Sequence, residues 1–73
     1  MELYYTVEEL ARTLKVSEEA IRKRLRGGEI RGVRLGRTWR VPREEAARLL
    51  GGEEALEAFD RMKAAWPEGQ TRL

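Results

Sequence analysis

Two helix-start signals, Thr6 and Ser17, stand near the front of the chain, and the helices they open leave only Lys15-Val16-Ser17 between them. Thr6 followed by Glu9 has the form of a capping box, and Tyr5 and Leu10 occupy the positions of a hydrophobic staple. Val7, Leu10, Ala11 and Leu14 then repeat at the i, i+3, i+4, i+7 spacing of one buried stripe, which predicts a short first helix ending near Lys15. Ser17 is an N-cap for a second helix, with Val16 and Ile21 at its staple positions and Glu18 and Glu19 in its first turn. That helix is predicted to run to about Gly27, with Gly28 in the left-handed conformation that ends helices.

A three-residue link is the length of a helix-turn-helix turn. From Gly32 to Val41 the apolar period changes to two, which predicts a β-hairpin: Val33, Leu35, Trp39 and Val41 alternate with Arg34 and Arg40. A two-residue Gly36-Arg37 turn would set Val33 against Arg40 and mix the faces. A three-residue tip, Gly36-Arg37-Thr38, is therefore expected, pairing Leu35 with Trp39 and Val33 with Val41 inside and setting Arg34 across from Arg40 outside. Pro42 suits the start of a third helix, to which Ala46, Ala47, Leu49 and Leu50 give an apolar side before Gly51-Gly52 interrupts. A fourth helix is predicted from Glu53 to Trp66, with Leu56, Phe59, Met62 and Trp66 along one side and Pro67 and Gly69 stopping it. The remaining residues to Leu73 are expected to fray. The expected fold is mostly α with a small β-hairpin, in the order α-α-β-β-α plus a C-terminal helix.

The 73 residues suffice for one domain with a thin core. Cys and His are both absent, which leaves no disulfide, no zinc site of the usual kind and no imidazole acid-base chemistry. Tyr4 and Tyr5 have no catalytic cluster beside them and are expected to pack beneath the first helix. No enzymatic activity, cofactor, metal or small-molecule substrate is expected. No apolar run approaches the roughly 20 residues that cross a bilayer, and the first residues do not form a basic-then-apolar leader, so a cytoplasmic protein without membrane contact is expected.

The net charge of +2 conceals an asymmetry. Between Arg12 and Arg43 stand eleven Lys or Arg against three Glu, whereas beyond Gly51 five acids meet three bases. A basic middle points to a polyanionic partner there. Twelve of the fifteen cations are Arg and Asn is absent, a bias that fits a thermophilic source and a GC-rich genome equally.

The run Tyr5-Thr6-Val7-Glu8-Glu9-Leu10-Ala11, then Val16-Ser17, Gly28-Glu29-Ile30, Val33-Arg34-Leu35-Gly36-Arg37 and Trp39-Arg40-Val41-Pro42-Arg43, resembles the excisionase family of winged helix-turn-helix DNA-binding domains, relatives of the MerR-type N-terminal domain. The resemblance covers about residues 4 to 50, and the spacing of its parts makes it more specific than a lone motif. It implies double-stranded DNA as the partner, with the second helix in the major groove and the hairpin wing on the backbone or in the adjacent minor groove. It also implies an architectural factor in recombination or a small transcription regulator. Residues 1–50 would form the DNA-binding domain and residues 51–73 a C-terminal helix and tail.

The residues themselves agree with that assignment. On the second helix Ala20, Ile21 and Leu25 face inward, which leaves Glu18, Glu19, Arg22, Lys23 and Arg26 outward. Arg22 and Lys23 are expected to reach base edges and Arg26, nearer the helix end, a phosphate, with the capping Ser17 also counted among the DNA-binding residues. Glu18 with Arg22 and Glu19 with Lys23 are i, i+4 pairs, which an ordinary solvated helix would also carry. The two glutamates depart from the family pattern, neutral or basic there. Either one accepts from a cytosine amino group, or that end stands off the backbone. In the wing, opposed Arg34 and Arg40 would repel unless a phosphate lay between them, and Arg31 and Arg37 extend the strip. Trp39 is expected to pack in the core. The stripe of Leu56, Phe59, Met62 and Trp66 is expected to fold back on the core, the alternative being a second copy or a protein partner that would make the chain an adaptor.

Overall fold

The computed structural model describes residues 3–66. Seven elements follow in order: β1 (Tyr4–Thr6), α1 (Val7–Leu14), α2 (Glu18–Arg26), β2 (Val33–Leu35), β3 (Thr38–Pro42), α3 (Arg43–Leu50) and α4 (Glu53–Ala64). The expected order of helices and hairpin is present, and the sheet gains a third strand. The antiparallel order is β1-β3-β2, so β1 closes the inner edge of the wing. Three residues are too short to show a period, and Tyr4 and Tyr5 divide between the faces. Tyr5 is fully buried, while Tyr4 is 50% exposed on the outer face and does not pack beneath α1 as expected.

The local signals set the helix ends. The Thr6 amide donates to Glu9 Oε1 at 2.9 Å and the Glu9 amide to Thr6 Oγ1 at 3.0 Å, both halves of the capping box. Lys15 adopts φ 60°, ψ 44° and turns the chain into the link. Tyr5 and Leu10 join the core, whereas Val16 is exposed and forms no staple. At the end of α2, the Glu29 amide donates to Arg24 O at 2.9 Å and the Gly28 amide to Leu25 O at 3.2 Å, a Schellman arrangement around Gly28 at φ 84°.

The hairpin register differs from the expectation. Val33 pairs with Arg40, Arg34 with Trp39 and Leu35 with Thr38, around the two-residue turn Gly36-Arg37. Gly36 has φ 62° and Arg37 a negative φ, the II′ pattern whose twist suits a tight hairpin. The cost is the one that argued for a longer tip: Val33 and Leu35 lie outward, 43% and 54% exposed, and Arg34 shares the inner face with Trp39. Burial of Tyr5 and Val41, held by β1 on the other side of β3, supplies the apolar face that β2 does not.

The core unites Tyr5, Leu10 and Ala11 with Ile21, Leu25, Ile30, Val41, Ala46, Leu56 and Phe59, with Leu14, Trp39, Leu49, Leu50 and Trp66 packed against it. α4 thus folds back on the core, as expected. Its ring Phe59 lies 5.7 Å from Tyr5 and 6.1 Å from Trp66, and the Arg12 guanidinium covers Trp66 at 4.1 Å. Polar ties complete the docking: Tyr5 Oη donates to Asp60 Oδ1 at 2.8 Å, Arg43 Nη1 donates to Tyr5 Oη at 2.8 Å and to Asp60 Oδ2 at 3.0 Å, and Lys63 meets Glu9 at 3.0 Å. Leu56 and Phe59 are therefore not available to a partner, and Met62 is the exposed member of that stripe. The fraying expected beyond Pro67 lies outside the described residues. Among the described residues no helix is long and apolar enough to cross a membrane.

Candidate nucleic-acid interface

The start of α1, the front half of α2 and the wing meet in a shallow cleft lined by Thr6, Val7, Glu8, Glu18, Arg22, Arg37, Thr38, Trp39 and Arg40. Three arginines from two distant stretches of chain thus converge: Arg22 from the middle of α2, Arg37 from the wing tip and Arg40 from β3. Burial of Ile21 and Leu25 sets the rotation of α2. Ala20 is half-buried rather than fully inward, beside a second hollow that it shares with Lys23, Arg24 and Glu29. Lys23, expected beside Arg22 at the base edges, lies in this lateral hollow instead.

The acids at the start of α2 hold its arginines. Arg22 Nη2 donates to Glu18 Oε1 at 2.8 Å, the i, i+4 pair expected, and Arg22 Nη1 lies 3.6 Å from Glu19. Glu19 does not take Lys23 but accepts from Arg26 Nη2 at 2.7 Å, two turns away. The Arg26 hydrogen bond and charge hold the Glu19 carboxyl below the usual carboxylate range. Ser17 Oγ accepts from the Ala20 amide at 3.1 Å and caps the helix. A guanidinium already forked by carboxylates is a poor counter-ion for phosphate and retains directional N–H groups, which suits a base edge better than a backbone.

Arg34 and Arg40 are not opposed. Arg34 Nε donates to Gly36 O at 3.1 Å, and its guanidinium lies 5.5 Å from the centre of the Trp39 ring. Arg40 faces Val33 on one side and Thr6 on the other, and its Nη1 donates to Trp39 O at 3.0 Å. Repulsion across the hairpin therefore plays no part in placing these arginines, and Trp39 is half-buried and packed against the core, in line with the expectation. Arg37 stands exposed at the tip. Arg31 is exposed at the wing base, where its amide donates to Glu45 Oε2 at 3.0 Å.

Sequence reasoning missed Glu45, a carboxylate on α3 that is only 6% exposed. Adjacent Glu44 is equally acidic and exposed, so the sequence carries no sign that the next residue turns inward. It also passed over Arg24, whose place beside Lys23 follows from the same helical rotation.

A family model described as "Helix-turn-helix domain" matches residues 4–50. Over 43 residues, 59% of the chain, the sequence is 46% identical to a "Probable plasmid-partitioning protein ParA" from Thermus thermophilus, and it spans 13% of that protein's length. No solved structure matches the chain.

Proposed function

The chain belongs to the helix-turn-helix domain family, and from that footing we propose that it is a selective binder of double-stranded DNA, with α2 in the major groove and the β2–β3 wing on the backbone or in the adjoining minor groove. The observation that carries the proposal is the convergence of Arg22, Arg37 and Arg40 on one cleft. Arg22, held by Glu18, reads a base edge, and Glu18 is the acceptor for a cytosine amino group. Arg37 and Arg40 engage phosphate, with Arg31 extending the contact at the wing base, while Arg34, on the opposite face of the hairpin from Arg40, braces the Gly36 turn. Lys23 and Arg24 take phosphates on the far side of the groove, and Arg26 and Glu19 act as a braced pair at the end of α2.

The protein acts in the cytoplasm as a binding module without catalytic chemistry, in the manner of an excisionase-like architectural factor or a small transcription regulator. Likeness to a probable plasmid-partitioning protein over the matched stretch favours a third setting, partition of a replicon. All three need the same duplex-binding surface.

Fluorescence anisotropy of labelled duplex across a salt series tests the proposal. Wild type is expected to bind with a steep salt slope, and Arg37→Ala/Arg40→Ala is expected to make that slope shallower by about two, roughly one for each phosphate contact removed. Equal slopes for both proteins would exclude the wing from the interface.

A further inference from the structure

The segment that joins α2 to the wing, residues 27–32, is held from both ends. On the helix side the amides of Glu29 and Ile30 donate to Arg24 O at 2.9 and 3.2 Å, and Ile30 is buried. On the other side stands α3. Glu45 Oε2 accepts from the Arg31 amide at 3.0 Å, and Arg48 grips both Glu45 oxygens while donating to Glu29 O at 3.2 Å. The segment is thus pinned through its own backbone at residues 29 and 31, by one acceptor and one donor set a turn apart on the same helix.

A buried carboxylate is costly unless paired and hydrogen-bonded. An apolar side chain would fill the volume at position 45, but it could not accept from the Arg31 amide. The hydrogen bonds and charge of Arg48, with the Arg31 amide, hold the Glu45 carboxyl below its usual range despite burial. Gly32 continues the constraint: a Cβ there would stand 2.6 Å from Leu25 Cδ2 and 3.2 Å from Arg40 O, so the wing base sits directly on α2. β3 is tied to the body of the fold by its pairing with β1 and by buried Val41, whereas the outer strand β2 contributes only three residues, all exposed, and depends on residues 27–32 for its placement.

We propose that Glu45, braced by Arg48, is a positioning residue that sets the angle of the wing to the recognition helix, so that Arg37 and Arg40 meet the backbone of a duplex whose major groove holds α2. The role rests on the DNA-binding reading above. Glu45 touches no DNA; it acts through the backbone of Arg31.

Glu45→Gln keeps the shape and removes the charge, whereas Arg48→Ala, on a side chain 59% exposed, removes the brace and leaves the Glu45 carboxylate without this ion pair. Both are compared with wild type by amide hydrogen exchange and by duplex binding across a salt series. In both variants the Arg31 amide is expected to exchange faster while the Leu25 amide keeps its protection. The salt slope is expected to fall by about one to two, towards that of Arg37→Ala/Arg40→Ala, while the preference of α2 among duplex sequences persists. A merely structural carboxylate would lower the melting temperature and leave the slope unchanged. Tight wild-type binding with unchanged slopes in both variants would overturn the positioning role and leave the DNA-binding reading standing. Absence of wild-type binding even at low salt would overturn both.

Discussion

Gly32 shows how one missing side chain can let the wing base sit against α2. Its φ is not in the left-handed region, so the requirement is space rather than conformation. Gly32→Ala places a methyl group 2.6 Å from Leu25 Cδ2 with the Arg40 carbonyl behind it, and one of the two must move. Destabilisation of about 1–3 kcal/mol is expected, read by denaturant unfolding with an unchanged m-value. Position 36 makes the opposite demand: nothing stands within 4 Å of a Cβ there, but φ 62° favours glycine. At this scale the capping residues were legible in the sequence, because Thr6, Glu9, Ser17 and Gly28 act on backbone within a few positions of themselves. Glu45 was not, because the Arg31 amide it accepts from lies 14 positions away and α3 must be in place before they meet.

Among the elements, α2 has arginines that are occupied before any ligand arrives. Glu18 and Glu19 reduce the general attraction of α2 for phosphate and leave Arg22 directed into the cleft. Glu18→Gln should therefore raise affinity for arbitrary duplex at low salt by roughly threefold or more while narrowing the gap between preferred and other sequences, as measured by competition anisotropy. Weaker binding to every duplex would mean that Glu18 serves the helix alone. The wing is where sequence reasoning stopped short. Period-two alternation identified both strands correctly, but maximising inward apolar residues selected the wrong register. The turn dipeptide Gly36-Arg37 and the added strand β1 decide the pairing, and β1 is too short to announce itself. With the register went the opposed arginines, whereas Arg37 and Arg40 still reach the cleft by another geometry.

For the molecule as a whole, the helix beyond the matched residues is part of the same core. Leu56 and Phe59 are buried to 0% and 2% exposure, and burial of two such side chains contributes about 3–6 kcal/mol. That is comparable with the roughly 3–5 kcal/mol of net stability open to a single core of this size. A chain ending at Leu50 is expected to lose cooperative thermal unfolding by circular dichroism, although it keeps the whole matched stretch. Acid should act through the same docking. Burial alone pushes the Asp60 carboxyl up, but hydrogen bonds from Tyr5 and Arg43 and the charges of Arg43 and Lys63 outweigh it and hold the carboxyl below its ordinary 3.8. The Glu45 carboxyl lies below 4.5, chiefly through its Arg48 hydrogen bond. Groups depressed on folding bind protons more tightly when unfolded, so their stabilisation is complete above about pH 4.5 and is lost as pH falls through the folded values. Melting temperature should therefore drop on acidification below that point, and Asp60→Asn should flatten the dependence.

Amide shift changes on titrating a short duplex into labelled protein map where duplex DNA touches it. The expected map covers residues 17–26 and 33–40 and spares the outer face of α4. Perturbation concentrated on α4, or none at low salt, would contradict the assignment of α2 and the wing as the DNA-binding surface.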